Sequence, residues 1–527
     1  MKLSRRLFLL SPLALAYKPS WGALSFPLPQ GHFVPAKMPM HPVFPRPDSE
    51  TQPYARHRWA HPDFRYEIPI GVQGGAWPFK YEVINGPTGA TIGQYYGDAD
   101  YGVVKWTPSN GDSGTKTFTV RVTDQELNTV DLTWTTTIDP NQFIFIDSSA
   151  PSAGTGSISS PLKSFADWYT NSETDATYKQ KIAVFRRGTY ALYASSGGTA
   201  RFDSNYKSVC IIGYPDETPI FDCTNATLAL TGNASDAFFA NIRFEHATPY
   251  AKNPRMIGVY TKLDRVTIWK NYFYDLTNGT VGDDNCSGLY CANNGSPTYY
   301  WLVKHNTFDE FTNHGSNGSY VDLYYTYYGV IEENTAKNSS ARYGFWAKVT
   351  KAYVTLRAND LSKNITGGGI TVHYGDNAPG QPHDHEICWN KVVIPINLVD
   401  LLSLLIMGDN PSDINRNHYN TFIYRNTFVG GRAVVRFGSP VENFKVDANV
   451  VVSDRSDAFS PVRSGSAAWN EDIIDTLILN LTGTKSTQIV DTNGMLVGDY
   501  RKRYLGIIGH EISDKYLTIP MPPKLLS

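Results

Sequence analysis

The sequence predicts an all-β protein in which a solenoid of stacked β-coils follows a small β-sandwich, and two patterns support that prediction. The first is a strand-like unit that ends in asparagine and recurs 23 to 36 residues apart, at Asn271, Asn306, Asn334, Asn359, Asn390, Asn426 and Asn449. The second is a set of five short strand-like runs, separated by turn residues, between positions 64 and 140. Recurrence at such a period is typical of units that stack into one continuous core.

Each asparagine follows an apolar strand-like run, as in VTIWKNYF, WLVKHNTF and TFIYRNTF. In stacked coils these residues would occupy the same turn, where each side-chain amide hydrogen-bonds to the coils above and below it. The sequence therefore predicts an asparagine ladder along the solenoid. Asn241, in FFANIRFEH, is predicted to belong to the same series.

The stretch FIFIDSSAPSAGTGSISSPLKSFADWY, followed by IAVFRRGTYAL, resembles the first coil of many secreted right-handed parallel β-helices. The matching pieces are Ile146-Asp147, Gly154-Thr155, Ser160-Pro161, Ser164-Phe165 and Gly188-Thr189-Tyr190. The runs GPTGATI, VVKWTP and FTVRVTD resemble immunoglobulin-like or cadherin-like modules of bacterial secreted proteins. Together these resemblances imply a right-handed parallel β-helix preceded by a small immunoglobulin-like β-sandwich, which would act as a spacer or adhesive unit.

The N-terminus MKLSRRLFLLSPLALA has a basic start, an apolar stretch and a small-x-small end, as export signals do, and SRRLFL resembles the twin-arginine pattern. We therefore expect a secreted or periplasmic bacterial protein. The expected order is an export signal (1–16), a proline-rich linker or arm (17–62), the β-sandwich (63–140), the β-helix with an active groove (141–452) and a C-terminal cap (453–527).

Composition narrows the partners of the chain. Lys and Arg total 47 against 49 Asp and Glu, a net charge of −2, which excludes a general attraction to nucleic acid. No later segment approaches the ~20 apolar residues of a membrane span. The 33 tyrosines suit either the stacking of sugar rings or exposed sheet.

The five cysteines form no CxxC pair, which argues against zinc, although Cys286 and Cys291 are candidates for a disulfide. We expect a monomer.

The strands that precede each ladder asparagine by nine to thirteen positions are predicted to line one lengthwise groove. The middle coils are polar and aromatic there, and the run GGGITVHYGDN places His373 on one face of such a strand. The predicted substrate-binding residues are Tyr260, Lys262, Tyr290, Tyr324, Trp346, Tyr374 and Arg436.

Such a groove suits an acidic, uronate-containing polysaccharide. Cleavage by elimination needs a base for the proton at C5, a cation or donor to neutralise the adjacent carboxylate, and an acid for the leaving oxygen. Lysine acts as a base only when burial or nearby positive charge lowers its pKa. Lys348 is the candidate base, with Arg342 or His373 supplying that charge.

The stretch FWAKVTKAYVTLRANDLSKNITGGGITVHYGDN, residues 345–377, resembles the alginate lyases and chondroitinase B-like polysaccharide lyases. Lys348 falls at the catalytic lysine position, and His373-Tyr374-Gly375-Asp376 falls where Arg-His-Gly-Asn stands in that family. The histidine in place of arginine, and Val349 where serine is common, depart from the family pattern. The resemblance implies lyase activity and Ca²⁺ at the substrate carboxylate, for which the nearest acidic ligands are Asp322, Glu332 and Glu333.

A related C5-epimerase acting on a uronate polymer is an alternative to the lyase, and two other functions remain open because the fold alone does not choose among them. A glycoside hydrolase would need two carboxylates flanking the cleaved bond, for which Asp322 with Asp376 or Asp283 with Asp284 are candidates. A non-catalytic glycan-binding protein, adhesin or tailspike-like module would need neither. The cluster HDHE at positions 383–386 is interpreted as a polar loop rather than a metal site.

Overall fold

The computed structural model of this chain is built almost wholly of β-strands. Within the described part of the chain, no helix is long and apolar enough to cross a membrane. In several strands, including positions 348, 373, 374 and 436, the backbone alone is described. The structure describes residues 38–511 except 176, 194–198, 203–208, 232–234, 248–254, 278–285, 292–295, 313–317, 342, 349–351, 364–367, 375–382, 395–401, 409–417, 431, 437–440, 454–458, 463–472, 475, 481–490, 492–494 and 500–507.

Residues 38–138 form an N-terminal module of three small sheets. Its aromatic core includes Phe118 and Trp134, whose rings stack at 5.2 Å, and Tyr66, whose hydroxyl accepts a hydrogen bond from the Trp134 indole. The runs predicted as strands between 64 and 140 are strands, whereas the immunoglobulin-like assignment stays a prediction. The strands are β1 (His41–Phe44), β2 (Trp59–Ala60), β3 (Tyr66–Pro69), β4 (Gly71–Gln73), β5 (Lys80–Asn85), β6 (Thr91–Ile92), β7 (Val103–Trp106), β8 (Gly114–Thr123) and β9 (Thr129–Ile138).

The rest of the described chain winds into coils that contribute strands to three long parallel sheets. Sheet 1 contains β10 (Phe143–Ile146), β11 (Ile182–Phe185), β14 (Cys210–Gly213), β17 (Phe238–Ala240), β20 (Val266–Trp269), β23 (Thr298–Lys304), β26 (Thr326–Glu332), β29 (Ala352–Arg357), β32 (His383–Cys388), β35 (His418–Tyr424), β38 (Val441–Asp447) and β41 (Ile473–Ile474). Sheet 2 contains β12 (Thr189–Ala191), β15 (Ile220–Asp222), β18 (Arg243–Ala247), β21 (Tyr272–Thr277), β24 (Thr307–Thr312), β27 (Thr335–Lys337), β30 (Asp360–Lys363), β33 (Lys391–Val393), β36 (Thr427–Val429), β39 (Val450–Ser453) and β42 (Leu477–Asn480). Sheet 3 contains β13 (Thr199–Phe202), β16 (Thr227–Leu230), β19 (Arg255–Val259), β22 (Ser287–Cys291), β25 (Ser319–Tyr324), β28 (Phe345–Lys348), β31 (Ile370–Tyr374), β34 (Leu402–Gly408), β37 (Arg432–Arg436) and β40 (Phe459–Val462).

This arrangement is a parallel β-helix, so the predicted fold class is confirmed. Alternate residues of each strand point inward, and the inward residues of all three sheets form one apolar core, as Ile331, Leu356 and Ile387 do in sheet 1. The other residues of each strand face outward and are available for docking or chemistry.

The asparagine ladder lies at the turn between sheets 1 and 2. Each ladder residue before Asn449 donates from its backbone and side-chain nitrogens to the Oδ1 of the next, as Asn306 does to Asn334 at 2.9 and 3.0 Å. The residue before each asparagine has a positive φ, which makes the turn tight enough for this contact. The prediction for Asn241 is wrong by one position: Asn241 has the positive φ, and Ile242 takes the ladder place and donates to Asn271.

Both ends of the β-helix depart from its regular repeat. Helix α1 (Phe165–Thr174) begins with a capping box between Ser164 and Asp167, and it buries Phe165, Trp168 and Tyr169 against the first coil. At the other end the sheets continue to Asn480, beyond the boundary at 452 that the repeat pattern predicts. All five cysteines are buried thiols, so Cys286 and Cys291 do not form a disulfide.

The N-terminal module packs on the outer face of sheet 1. The Trp77 ring lies 5.3 Å from that of Trp389, and Phe44 lies 5.8 Å from Phe238, so the contact spans several coils. Residues 41–60, within the segment predicted as a linker, supply strands β1 and β2 of the module. This docking covers much of the outer face of sheet 1. The strands predicted to line a substrate groove belong to sheet 3.

Candidate functional site

The outward residues of sheet 3 form two rows that run across its central coils. In the first row, Tyr290 is in register with Asp322, Asp322 with Trp346, and Trp346 with Thr371. In the second row, the backbone register runs Tyr324, Lys348, His373, Met407 and Arg436. Between them lies an inward row that includes Leu323, Ala347 and Val372, all buried in the core. The rows include the predicted substrate-binding positions Tyr290, Trp346, Tyr324 and Arg436.

Arg255 lies at the N-terminal side of these rows and is held by two tyrosines. Its Cζ lies 3.4 Å from the centroid of the Tyr290 ring, and its Nη1 donates to the Tyr260 hydroxyl at 3.1 Å. A guanidinium stacked on an aromatic face keeps its donors in a fixed plane. Tyr260 itself is exposed, whereas Arg255 is buried. This arrangement positions a cation beneath a solvent-accessible ring.

A buried carboxylate and two tyrosines continue the site from Arg255. The Tyr290 and Tyr324 rings meet edge to face at 5.7 Å, and their hydroxyls are hydrogen-bonded to each other. Burial raises the pKa of both hydroxyls, and the charge of Asp322 raises it further. Asp322 is fully buried although it lies on an outward row. Both tyrosines therefore stay protonated at neutral pH and can act as proton donors but not as bases.

Trp346 and Tyr343 extend the aromatic surface by one coil. Their rings lie 4.2 Å apart, and Trp346 is buried on the first row beside Asp322. Beyond them, the second row reaches Met407 and the first reaches Leu405, which are apolar. The polar positions are thus interrupted at this coil before the second row continues to Arg436.

The remaining predicted groove residues have varied positions. Lys262 follows β19, is exposed, and places its Nζ 5.6 Å from the centroid of the Tyr299 ring. Tyr374 ends β31, and its backbone pairs with Gly408. Arg342 lies outside the described residues, so the structure gives it no place.

The three acidic residues predicted as calcium ligands do not converge. Asp322 belongs to sheet 3, whereas Glu332 ends a strand of sheet 1 and accepts hydrogen bonds from Lys304 and Arg357 beneath the N-terminal module. Glu333 lies 3.1 Å from Lys304. Across the described ranges, no group of three His, Cys, Asp or Glu side chains is arranged to hold a metal ion. The predicted ligand set therefore does not fit calcium, because two of its members are committed to ion pairs on another face.

The HDHE segment is a strand, not the loop that its composition and its Gly/Pro-rich neighbour suggested. It forms the first part of β32, with His385 and Glu386 buried and Glu386 accepting a hydrogen bond from the Tyr424 hydroxyl. Asp384 accepts from Asn420 on the next coil. Coil-to-coil hydrogen bonding thus places these polar residues within sheet 1.

Sequence reasoning missed Arg255 and Tyr343. Arg255 begins the run RMIGVY, whose mostly apolar residues do not show which positions face outward. It lies five positions before the predicted groove residue Tyr260. The position of Arg255 beside the groove follows from the strand register, which the structure gives: Arg255 pairs with Ser287, and Gly258 with Tyr290, one coil on. Tyr343 precedes its strand and becomes recognisable only through its contact with Trp346.

No protein-family model matches this chain, and no curated protein matches it either. Among solved structures, the chain is similar to the family 28 exopolygalacturonase of Yersinia enterocolitica, with 12% identity over 81% of this chain and 98% of that chain. The TM-score is 0.31, so the similarity supports no assignment of activity. The fold and the candidate site rest on the register and contacts of this chain.

Proposed function

We propose that this protein is a secreted polysaccharide lyase that cleaves a uronic-acid-containing polymer by β-elimination on the outer face of sheet 3. The supporting observation is the register of the two rows, which aligns tyrosines and basic residues across consecutive coils. Aromatic rings pack against sugar rings, and cations neutralise the carboxylates of acidic sugars. A polymer lying along the rows would contact several coils at once.

Each step of the elimination has a candidate residue. Lys348 is the base that takes the C5 proton, and His373 pairs with it on the next coil. Arg255 faces the substrate carboxylate. As the C4–O bond breaks and the C4=C5 double bond forms, the leaving oxygen takes a proton from Tyr324 or Tyr290. Both hydroxyls are protonated at neutral pH, as a proton donor must be, while their raised pKa values make them weaker acids than a free tyrosine.

Hydrolysis is the second candidate, and the buried carboxyl of Asp322 is the observation that favours it. A glycosidase of the usual kind uses two carboxyl groups on opposite sides of the bond. In the described strands of sheet 3, Asp322 is the one acidic residue. The other predicted carboxylates, Asp376, Asp283 and Asp284, lie outside the described residues, and elimination, which needs no second carboxylate, is the preferred proposal.

Ultraviolet absorbance distinguishes these functions. The purified protein is incubated with alginate, pectate, chondroitin and dermatan sulfate, heparan sulfate or ulvan, with and without EDTA, and both absorbance and reducing ends are followed. A new C4=C5 chromophore supports the lyase and names its substrate, and its loss with EDTA would support calcium. Reducing ends without the chromophore would favour the hydrolase, and binding without either would favour a glycan-binding protein.

A matched pair of lysine variants then tests the site. Lys348→Ala should abolish product formation in a folded protein. Lys337→Ala removes a lysine from sheet 2, where it pairs with Asp309 at 3.2 Å, and should leave turnover unchanged. Full turnover by Lys348→Ala would remove this residue from the mechanism.

A further inference from the structure

Gly258 lies on the outer face of sheet 3, one coil before Tyr290 in the first row. Its φ is not positive, so the strand conformation itself does not require glycine. A close contact does. A Cβ at this position would lie 2.6 Å from the Tyr260 hydroxyl oxygen and 2.7 and 2.8 Å from Cε2 and Cζ of the same ring. The hydroxyl end of Tyr260 therefore rests directly on the backbone of Gly258.

The Tyr260 ring is held in this position by its hydroxyl. Arg255 Nη1 donates to that oxygen at 3.1 Å, while the guanidinium of Arg255 stacks on Tyr290. Arg255 and Tyr290 are each 8% exposed, whereas Tyr260 is 36% exposed. The chain thus fixes the polar end of an aromatic ring and leaves the ring accessible to solvent.

An exposed aromatic ring distinguishes this part of sheet 3. Among the described residues, the other large apolar side chains with this much exposure are Ile84, Leu127, Ile158 and Tyr193. Ile84 and Leu127 belong to the N-terminal module, and Ile158 and Tyr193 precede the first strand of sheet 3. A ring that is already fixed loses little conformational freedom when a flat ligand covers it. Tyr260 is therefore suited to stacking against a sugar ring.

We propose that Gly258 is a positioning residue that lets the Tyr260 ring lie against the strand, and that this ring is a stacking platform for one sugar of the bound polymer. The inference rests on the proposed function, because it places the same polysaccharide on the same face. The platform extends the groove by one coil beyond Tyr290. On the preceding coil the first row continues with Ala229, whose short side chain leaves the polymer a way past the platform.

Calorimetric titration of the full-length Lys348→Ala protein, the parent, measures binding without turnover. The probes are octasaccharides from alginate, pectate and chondroitin sulfate, of which at least one should bind. Adding Tyr260→Ala should weaken that binding about tenfold, because one sugar ring loses its stacking contact. Gly258→Ala should weaken it by a similar factor, because the new methyl group displaces the Tyr260 ring. The two substitutions together should be no worse than Tyr260→Ala alone, since Gly258 acts through Tyr260.

Two further variants separate stacking from other roles of Tyr260. Tyr260→Phe keeps the ring and removes the acceptor for Arg255, so it should weaken binding much less than Tyr260→Ala does. Tyr193→Ala is the matched control, because it removes an exposed tyrosine that follows β12 of sheet 2, with its ring 6.0 Å from that of Tyr169. It should bind like the parent. Circular dichroism establishes that each variant is folded, and the Tyr260 variants decide the question if Gly258→Ala is not.

Four outcomes would overturn the proposal. No octasaccharide binds, or Tyr260→Ala binds as well as Tyr193→Ala. Tyr260→Phe weakens binding as much as Tyr260→Ala, which would make Tyr260 a support for Arg255. Gly258→Ala weakens binding further in a protein that already carries Tyr260→Ala.

The ultraviolet assay of the wild type tests the proposed function separately. Binding that depends on Tyr260, without a C4=C5 chromophore, would keep the platform and remove the lyase. A chromophore, together with undiminished binding by Tyr260→Ala, would keep the lyase and remove the platform.

Discussion

Arg357 and Glu332 form an ion pair across neighbouring coils that is wholly buried beneath the N-terminal module, with Arg357 Nε 3.1 Å from Glu332 Oε2. Lys304, in the same row one coil earlier, donates to the other carboxylate oxygen at 2.9 Å. The two basic residues also donate to carbonyls of the module, Lys304 to Ile70 and Arg357 to Val72 and Gly74. One charged row therefore joins three coils to one another and to the module.

We expect Glu332→Gln to lower the free energy of unfolding by about 3–5 kcal/mol, because it leaves Arg357 buried beside a neutral amide. Chemical denaturation followed by circular dichroism measures the change. The control is Asp131→Asn, which breaks an exposed ion pair with Arg121 in the same module and should change stability little. Equal effects of the two variants would show that the buried row contributes no more than a surface pair.

Glu333 should make the folded protein less stable as pH rises, whereas Glu332 should make it more stable. Burial raises the pKa of Glu333 to about 7, with Lys304 opposing the shift. The folded state therefore binds a proton that the unfolded state releases near 4.5. The stability that this proton contributes is present below pH 4.5 and is lost as pH rises through 7.

A Glu333→Gln variant tests this effect. His305, whose Nε2 lies 3.2 Å from Glu333 Oε2 and whose pKa burial lowers to about 3, titrates in the opposite direction over much of the same range. The variant should match the wild type near pH 4.5 and be more stable than it at pH 8, by on the order of 3 kcal/mol at most. Thermal unfolding across this range measures the difference. Greater stability of the wild type at pH 8 would mean that Lys304 requires the ionised form of Glu333.

The asparagine ladder should be energetically important as well as repetitive. Asn334 donates to Asn359 Oδ1 from both nitrogens, at 3.1 and 3.0 Å, and to Val303 O at 2.9 Å. Asn334→Ala should cost about 2–4 kcal/mol, because it leaves buried groups on both neighbouring coils without partners. Asn225→Ala, at an exposed bend of the same solenoid, should stay within about 0.5 kcal/mol. Similar losses of stability in the two variants would mean that water replaces the hydrogen bonds of the ladder.

The repeat made the solenoid predictable, but single positions in it were not. The period identified the coils, because seven asparagines share one turn, whereas the one-residue offset between Asn241 and Ile242 depends on which of them has the positive φ. The predicted calcium ligands failed for a similar reason. Glu332 and Asp322 are ten positions apart, yet they lie in different sheets, and only the three-dimensional contacts show that Lys304 and Arg357 hold Glu332.

Tyr324→Phe should lower kcat about 100-fold on the uronate polymer that the absorbance assay identifies, because it removes the proton donor for the leaving oxygen. KM should change little, since the ring that packs on Tyr290 remains. Tyr327→Phe is the control: its ring stacks on Tyr299 at 5.1 Å in sheet 1, away from the two rows. Unchanged kcat in Tyr324→Phe would assign the proton to another residue.

Arg255→Gln should raise KM for the same polymer about 10- to 100-fold, because the guanidinium on Tyr290 would no longer meet the substrate carboxylate. Arg243→Gln is a close match, since Arg243 also stacks on tyrosines, with its Cζ 4.4 Å from the Tyr274 ring, but on sheet 2. It should leave KM unchanged. Circular dichroism of both variants excludes a loss of folding as the cause. If the two variants raise KM equally, or if neither raises it, recognition of the carboxylate does not involve Arg255. The basic positions of the second row then become the candidates for that recognition.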